Sequence, residues 1–302
     1  MNRSPKVSVV IPTYNHAHLI GRAIRSVLSQ SFQDFELIIV DDGSTDNTEK
    51  VVEGFPDERL RYIRHDKNRG ACAAMNTGIR EARGDFIAFL DADNEWFPEK
   101  LEKQVTAFSK LPPEFGVVYT SWWGIKGTDK YYGPTRKTKS GDIHRDILAI
   151  ETVIDTSSVL VKKECFEKAA LFDERLHHRM DWELFIRISR YYYFYHVNEP
   201  LFNYYVLAGS MSADSERRLI AAEEILQMHS QDFNQDRRVL SKCLKHLGYE
   251  FCSSSAMGQG KKYFLRAIKA YPFDFQLLVA TLLSFLGRGV YGKVAQIRRK
   301  IC

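Results

Sequence analysis

At 302 residues, 44% of them hydrophobic and 27% charged, the chain is long enough to bury one large core or two modest ones, which excludes a disordered polymer. The formal net charge of +5 is small for this length and the lysines and arginines are spread along the chain, so no nucleic-acid footprint is indicated. Cys72, Cys165, Cys243, Cys252 and Cys302 are odd in number and lack C-x-x-C spacing, which argues against a zinc site or disulfide framework and for reduced thiols in a cytosolic protein.

Met1 to Lys6 leads into a strand without an apolar h-region, so no secretory signal is expected. No run of eighteen apolar residues predicts a spanning helix, and no internal repeat crosses the chain. Val7-Ser8-Val9-Val10-Ile11 is a β-branched run stopped by Pro12; Leu19, Ile20, Ala23, Ile24, Val27 and Leu28 then recur at helical spacing. Leu37–Val40 predicts a second strand ending in Asp41-Asp42-Gly43-Ser44, and Thr45–Glu53 a second helix. Leu60–Ile63 is a short third strand, Cys72–Ala82 a third helix and Phe86–Leu90 a fourth strand. Pro98 opens a helix through Phe108, with its proline at the favoured first position.

Strands alternating with helices at this spacing imply parallel strands with right-handed crossovers, hence a doubly wound α/β domain. Thr13-Tyr14-Asn15, Asp41-Asp42-Gly43-Ser44 and Asp91-Ala92-Asp93 then share the carboxyl edge of one sheet, where such sheets bind ligands. If the chain stays extended through Ala92, Asp91 and Asp93 point the same way and face one metal-phosphate group. Taken alone the tripeptide reads more often as a turn, because Asp and Asn are favoured there. No G-x-G-x-x-G follows the first strand and no G-x-x-x-x-G-K-[ST] occurs, which removes the usual dinucleotide loop and the P-loop.

Val9-Val10-Ile11-Pro12-Thr13-Tyr14-Asn15, Val40-Asp41-Asp42-Gly43-Ser44-Thr45-Asp46, Asn68-Arg69-Gly70 with Met75-Asn76-Thr77-Gly78-Ile79, and Phe89-Leu90-Asp91-Ala92-Asp93 form an ordered set. Over about residues 6 to 210 the chain thereby resembles a family-2 inverting glycosyltransferase of the GT-A fold. The resemblance implies a mostly parallel sheet flanked by helices, with a catalytic domain over 1–215 (a nucleotide-sugar half, 6–120, and an acceptor half, 121–215) and a helical extension over 216–302. It also implies that Thr13, Tyr14 and Asp42 hold the nucleobase, usually uracil, and that Pro12, Asn15, Asn68, Gly70 and Asn76 complete the nucleotide side. A carboxylate can accept the uracil N3–H and an aromatic ring can lie on the base. On their own, Asp42 reads equally as a turn residue beside Gly43, and Tyr14 as packing. Asp91 and Ala92 map to the ribose side and Asp93 to the ligand of a divalent ion, Mg²⁺ or Mn²⁺, bridging the diphosphate.

Past Tyr119 the alternation weakens, and Trp122-Trp123-Gly124 and Tyr131-Tyr132-Gly133-Pro134 predict strands and loops whose rings pack an edge or stack on sugars. Thr152–Val161 reads as a loop into a strand, Lys162–Ala170 as a helix and Phe172-Asp173-Glu174 as a turn. Arg179 begins a helix to Ile188 with Trp182, Phe185, Ile186 and Ser189 inward, and Asp181 in its first turn, where exposed amides favour a carboxylate. That alone explains the residue; the resemblance implies that Asp181 is the general base, although Met180 replaces the commoner Glu, and Glu183 is the reserve. Tyr191–Val197 and Leu201–Val206 predict two strands, the first carrying His196 as a strand histidine. Gly209-Ser210-Met211-Ser212 resembles the family's closing loop, but Leu207 stands where relatives have His. Met75 likewise stands where relatives have Arg, so that the basic contact to the diphosphate either comes from Arg69 or is missing.

Residues 216–302 read as helical throughout, the pair around Leu244–Ala270 having the character of one helix-turn-helix unit. Leu277–Leu286 is apolar and Arg288, Lys293, Arg298, Arg299 and Lys300 follow, so 277–300 either lies on an anionic membrane surface or packs on the catalytic domain or a second subunit. The implied function is metal-assisted single displacement of a sugar from a nucleotide-sugar donor, UDP-linked first, to a glycan or lipid-linked acceptor in cell-surface polysaccharide synthesis. The place of work would be the cytoplasm or the inner face of its membrane. The alternatives are an inactive glycan-binding or scaffolding protein, against which intact Asp91, Asp93 and Asp181 argue, and a nucleotidyltransferase, whose basic triphosphate loop Thr13-Tyr14-Asn15-His16 does not supply.

Overall fold

The computed structural model describes residues 4–134, 138–207, 214–253 and 256–286. In chain order the elements are β1 (Val7–Thr13), α1 (Ile20–Leu28), β2 (Phe35–Asp41), α2 (Thr48–Glu53), β3 (Leu60–Arg64), α3 (Ala71–Glu81), β4 (Phe86–Phe89), β5 (Glu95–Trp96) and α4 (Lys100–Phe108). β6 (Phe115–Lys126), β7 (Asp129–Gly133), α5 (His144–Leu148), β8 (Leu160–Lys162), α6 (Glu164–Ala169), α7 (Met180–Ile188) and β9 (Tyr193–Tyr205) follow. The described remainder is helical: α8 (Ser215–Met228), α9 (Ser230–Gln235), α10 (Arg237–Ser253), α11 (Met257–Ala270) and α12 (Phe275–Phe285).

The strands form one sheet in the order β3-β2-β1-β4-β8-β6-β9-β5, with β7 added on β6. β3, β2, β1 and β4 are mutually parallel, β8 runs against β4 and β6, and β9 runs with β6. The sheet is therefore mostly parallel in direction. Val7, Val9, Val10 and Ile11 and all of Leu37–Val40 are fully buried, as continuous apolar runs must be when helices cover a parallel sheet. Thr13 pairs with Asp41 and Val10 with Phe89, so the loops after β1, β2 and β4 leave from one edge.

Three local expectations change. β1 does not stop at Pro12, which pairs with Val40 inside the ladder; the proline ring suits an extended φ and costs only a donor. Pro98 lies in a turn before α4, whose first helical residue is Lys100, because Lys100 N–H closes on Phe97 C=O at 3.1 Å. The two aromatic runs merge into the single strand β9, whose pairing with β6 shifts around Ser121, opposite Pro200; such a bulge is how a strand accommodates a proline. His196 sits in β9 with its ring 4.8 Å from that of Tyr119 and its Nε2 3.0 Å from Ser121 Oγ. Burial pushes the imidazole down to about 4.

The chain divides into two compact units, one formed by residues 1–143 and 153–208 and the other by 144–152 and 209–302. The first contains the whole sheet. Within the second, α5 and the residues after it join the helices through Arg145 to Asp236 and Glu151 to Lys242, the latter at 3.0 Å. α10 and α11 meet at two glycines: a Cβ on Gly248 would lie 2.4 Å from the Phe264 ring and one on Gly260 2.5 Å from the Cys252 backbone. Among the described residues, Cys72, Cys165, Cys243 and Cys252 are buried and form no disulfide. No described helix is long and apolar enough to cross a membrane. The Gly209–Ser212 segment lies outside the described residues.

Candidate active site

Because β1 and β2 end side by side, the two loops that follow them are sewn together. Asn15, at a left-handed φ of 55° that asparagine tolerates, accepts N–H donors from Thr45 and Asp46 at 2.8 and 3.3 Å on Oδ1 and donates its own N–H to Ser44 Oγ at 2.8 Å. Asp41 is buried and accepts from Ser44 N–H and the Tyr62 hydroxyl. Asp42 accepts from Arg69 N–H at 2.9 Å and Gly70 N–H at 2.7 Å, and its Oδ1 lies 2.7 Å from His65 Nδ1. Gly43 has φ 80°, and a Cβ there would lie 2.8 Å from the Lys67 carbonyl carbon, so only glycine fits the turn against 67–70. Asn15, Asp42 and Gly70 are thereby gathered at one place. Tyr14 is exposed at their rim, and the buried Thr13 hydroxyl has no hydrogen-bond partner. Asn68 is exposed. Asn76 goes elsewhere: buried, it donates to Phe172 C=O and Glu174 and accepts from Phe172 N–H, tying α3 to the 172–174 turn.

The loop after β4 is not extended through Ala92. The strand ends at Phe89, and Asn94 N–H closes a turn on Asp91 C=O at 2.9 Å. A turn, not strand geometry, therefore brings Asp91 and Asp93 together. The Ser157 hydroxyl is at its centre: it donates to Asp91 Oδ2 at 3.1 Å and accepts from Asp91 N–H at 3.2 Å and Asn94 Nδ2 at 3.1 Å. Ser157 is placed in turn by Asp155, whose carboxylate takes the Ser157 N–H at 2.8 Å and caps the short 3-10 turn Thr156–Ser158.

Electrostatics single out this corner. Burial above all, then the charges of Asp93 and Asp181, push the Asp91 carboxyl up to about 7, against the stabilising Ser157 hydroxyl. Asp93 is raised by burial and held back by His16 and Arg22. Asp155 is raised well above the carboxylate range by burial and by Asp91, Asp181 and Asp93. Asp181, in the first turn of α7, accepts Trp182 N–H at 2.8 Å. Four acids from three separate segments thus feel one another. Glu183 does not join them: it is fully buried and held by Arg187 at 2.7 Å. Trp182, expected inward, is only half-buried.

Among the described residues, no group of three or more His, Cys, Asp and Glu side chains is arranged to hold a metal ion. Asp91 and Asp93, half-buried and repelling each other, are nevertheless a donor set short of positive charge. They suit a hard cation that completes its shell with water or phosphate oxygens.

Four residues of this neighbourhood were not legible as site residues. Asp155 carries only the signature of a cap, Asp-Thr-Ser-Ser. Ser157 belongs to the same turn. Arg22 looks like a residue of a helix's polar face, yet it donates to the Asp93 carbonyl and lies 3.7 Å over the Tyr205 ring. Lys100 is fully buried, 3.9 Å from the Trp96 ring and bonded to Gln104 Oε1 at 2.8 Å. Burial pushes its ammonium well below the usual lysine range, opposed by the charge of Asp155. Trp96 and Gln104 in turn donate to the carbonyls of Ser157 and Ser158 at 2.9 Å, so this network underlies the turn.

Residues 8–206 match the family model described as Glycosyl transferase family 2. Five rickettsial glycosyltransferases of uncharacterized activity are 26–32% identical, and the aligned stretch covers 61% or less of the length of four of them and 83% of the fifth. The UDP-Glc:alpha-D-GlcNAc-diphosphoundecaprenol beta-1,3-glucosyltransferase WfgD of Escherichia coli is 42% identical over 104 residues, 34% of this chain and 41% of that one. Among solved structures, S. aureus TarS 1–349 in complex with UDP-GlcNAc has a TM-score of 0.67 at 18% identity, covering 96% of this chain and 92% of that one. The mannosyltransferase PcManGT from Pyrobaculum calidifontis, in complex with GDP-Man and Mn2+, has a TM-score of 0.65 at 20% identity, covering 99% and 86%. At these identities the two structures share the fold.

Proposed function

The chain belongs to glycosyl transferase family 2, and we propose that it moves a sugar with inversion from a UDP-sugar to a glycan or lipid-linked acceptor in cell-surface polysaccharide synthesis. The observation that carries this reading is the meeting of Asp91, Asp93 and Asp181 in one charge-crowded corner, with Asp155 beside them. In the proposed mechanism Asp181 removes the proton of the acceptor hydroxyl as that oxygen attacks the anomeric carbon. Asp93, with Asp91 toward the ribose, would hold Mg²⁺ or Mn²⁺, a Lewis acid that neutralises charge on the leaving diphosphate. Asp42 would take the uracil N3–H on Oδ2, which carries a single bond from Gly70 N–H in the structure. Tyr14 would cover the base, and Thr13, Pro12 and Asn15 would line it. Residues 1–215 would be the catalytic domain and 216–302 its helical extension.

UDP-Glc and a diphosphoundecaprenol acceptor in the name of WfgD, and UDP-GlcNAc bound to TarS, support a UDP donor and a lipid-linked acceptor; Mn2+ on PcManGT supports the metal. Thermal unfolding with UDP or GDP, with and without Mn²⁺, tests this. UDP plus Mn²⁺ should stabilise the wild type, and Asp93→Ala should lose the metal-dependent part. If neither UDP nor GDP shifts the wild type, the donor assignment fails. A panel of nucleotide sugars screened for metal-dependent hydrolysis then identifies the sugar.

A further inference from the structure

Helix α12 turns its large side chains outward. Its buried face is Leu277, Ala280, Thr281 and Ser284, and the two hydroxyls are satisfied by its own carbonyls, Leu277 and Thr281 C=O, at 2.7 and 2.6 Å. The exposed face carries Phe275 (77% exposed), Leu278, Leu282 (70%), Phe285 and the following Leu286, with Phe273 (82%) just before the helix. An amphipathic helix of a water-surrounded bundle shows the opposite arrangement. An apolar patch of this kind marks an interaction surface.

Charge identifies the occupant. Nine of the 43 Lys and Arg residues and one of the 38 acidic ones lie within 251–302, so this stretch carries +8 while the preceding 250 residues carry −3. The cations stay spread along the chain; what sets this stretch apart is its near-absence of acids, which leaves its positive charge unbalanced. The single acid, Asp274, is occupied by Lys245 and by capping Leu277 N–H at 3.0 Å. Lys261 on α11 sits 5.1 Å from the Phe285 ring, so a cation borders the apolar face directly. Arg288, Lys293, Arg298, Arg299 and Lys300 follow in the sequence, outside the described residues. A two-fold contact with a second copy would set this positive surround against itself. An anionic bilayer presents the complement of both features: acyl chains for the rings and leucines, phosphates for the cations. At 11 residues, α12 is roughly 16 Å long, about half the hydrocarbon thickness, so it lies in the interface and does not span.

We propose that the outward face of α12, with Lys261 beside it and a net charge of +8 over the sequence 251–302, docks on an anionic phospholipid surface. This goes beyond the donor reading and does not depend on it. Co-sedimentation of the full chain with phosphatidylcholine vesicles, with and without phosphatidylglycerol, should show about a tenfold preference for the anionic vesicles that high salt removes. Leu282→Ser with Phe285→Ser, both at exposed positions, should abolish sedimentation while leaving the circular-dichroism melt and donor hydrolysis unchanged. Should that pair fail to fold, Lys261→Glu with Lys262→Glu should weaken binding to anionic vesicles severalfold. No sedimentation of the wild type, equal binding to neutral vesicles, or unchanged binding by the folded variants would overturn the proposal. So would a concentration-dependent dimer that the serine pair dissociates without lipid, because the face would then belong to a second copy. Failure of UDP to bind would leave these results untouched and would count against the donor reading alone.

Discussion

β2 and β4 flank β1 and each delivers two aspartates to the same sheet edge, yet the two pairs live in opposite surroundings. Asp42 accepts two backbone N–H groups and contacts His65, and Asp41 a backbone N–H and a tyrosine hydroxyl. Asp91 has one serine hydroxyl, one distant asparagine and the charges of other aspartates. A carboxylate supplied with donors by its own chain organises a loop. One supplied with neighbouring negative charge is arranged for something that arrives from outside.

The sharpest way to break this comparison is Asp181→Asn, which should lower turnover by about 10²–10⁴-fold while UDP and Mn²⁺ still raise the melting temperature. Retained turnover would remove Asp181 as base. Asp42→Asn comes next: it sets an amide donor among existing N–H donors and should destabilise the protein by about 2–3 kcal/mol in chemical denaturation. Gly43→Ala should cost about 1–3 kcal/mol through its positive φ and the contact with Lys67. Asp91→Asn should act in the opposite sense, raising the metal-free melting temperature by a few degrees because it removes a charge from a repelling group. If Asp91→Asn and Asp42→Asn fall together, the distinction is wrong. The smallest effect concerns His196, away from both corners. Its folded pKa of about 4 lies below the ordinary 6.5, so the stability it contributes is present above 6.5 and is lost as pH falls toward 4. His196→Gln should flatten that acid limb.

The parallel half was readable because each strand is a short β-branched run and each helix has a clean apolar stripe, so local pattern and global fold agree. The second half was less so. β9 contains Asn198-Glu199-Pro200, which reads as a break, and only pairing with the bulged β6 makes it one strand. At the site, Asp91, Asp93 and Asp181 stand in recognisable strings, whereas Asp155 looks like an ordinary cap. Its contact with the others depends on the β4–β8 pairing, which places the turn before β8 against the end of β4. Arg22 reaches Asp93 across 71 residues of sequence, and no periodicity within α1 reports that.

Helix α5 adds a constraint on how this chain can be re-engineered or inherited. Residues 144–152 leave the sheet-bearing unit to pack with α10, and the chain returns at Val153 to build β8. The C-terminal helices are therefore not a cassette that recombination could graft after residue 208. Exchange with a relative would have to carry the internal nine-residue loop along with the tail, with Arg145 and Asp236 or Glu151 and Lys242 changing as matched pairs.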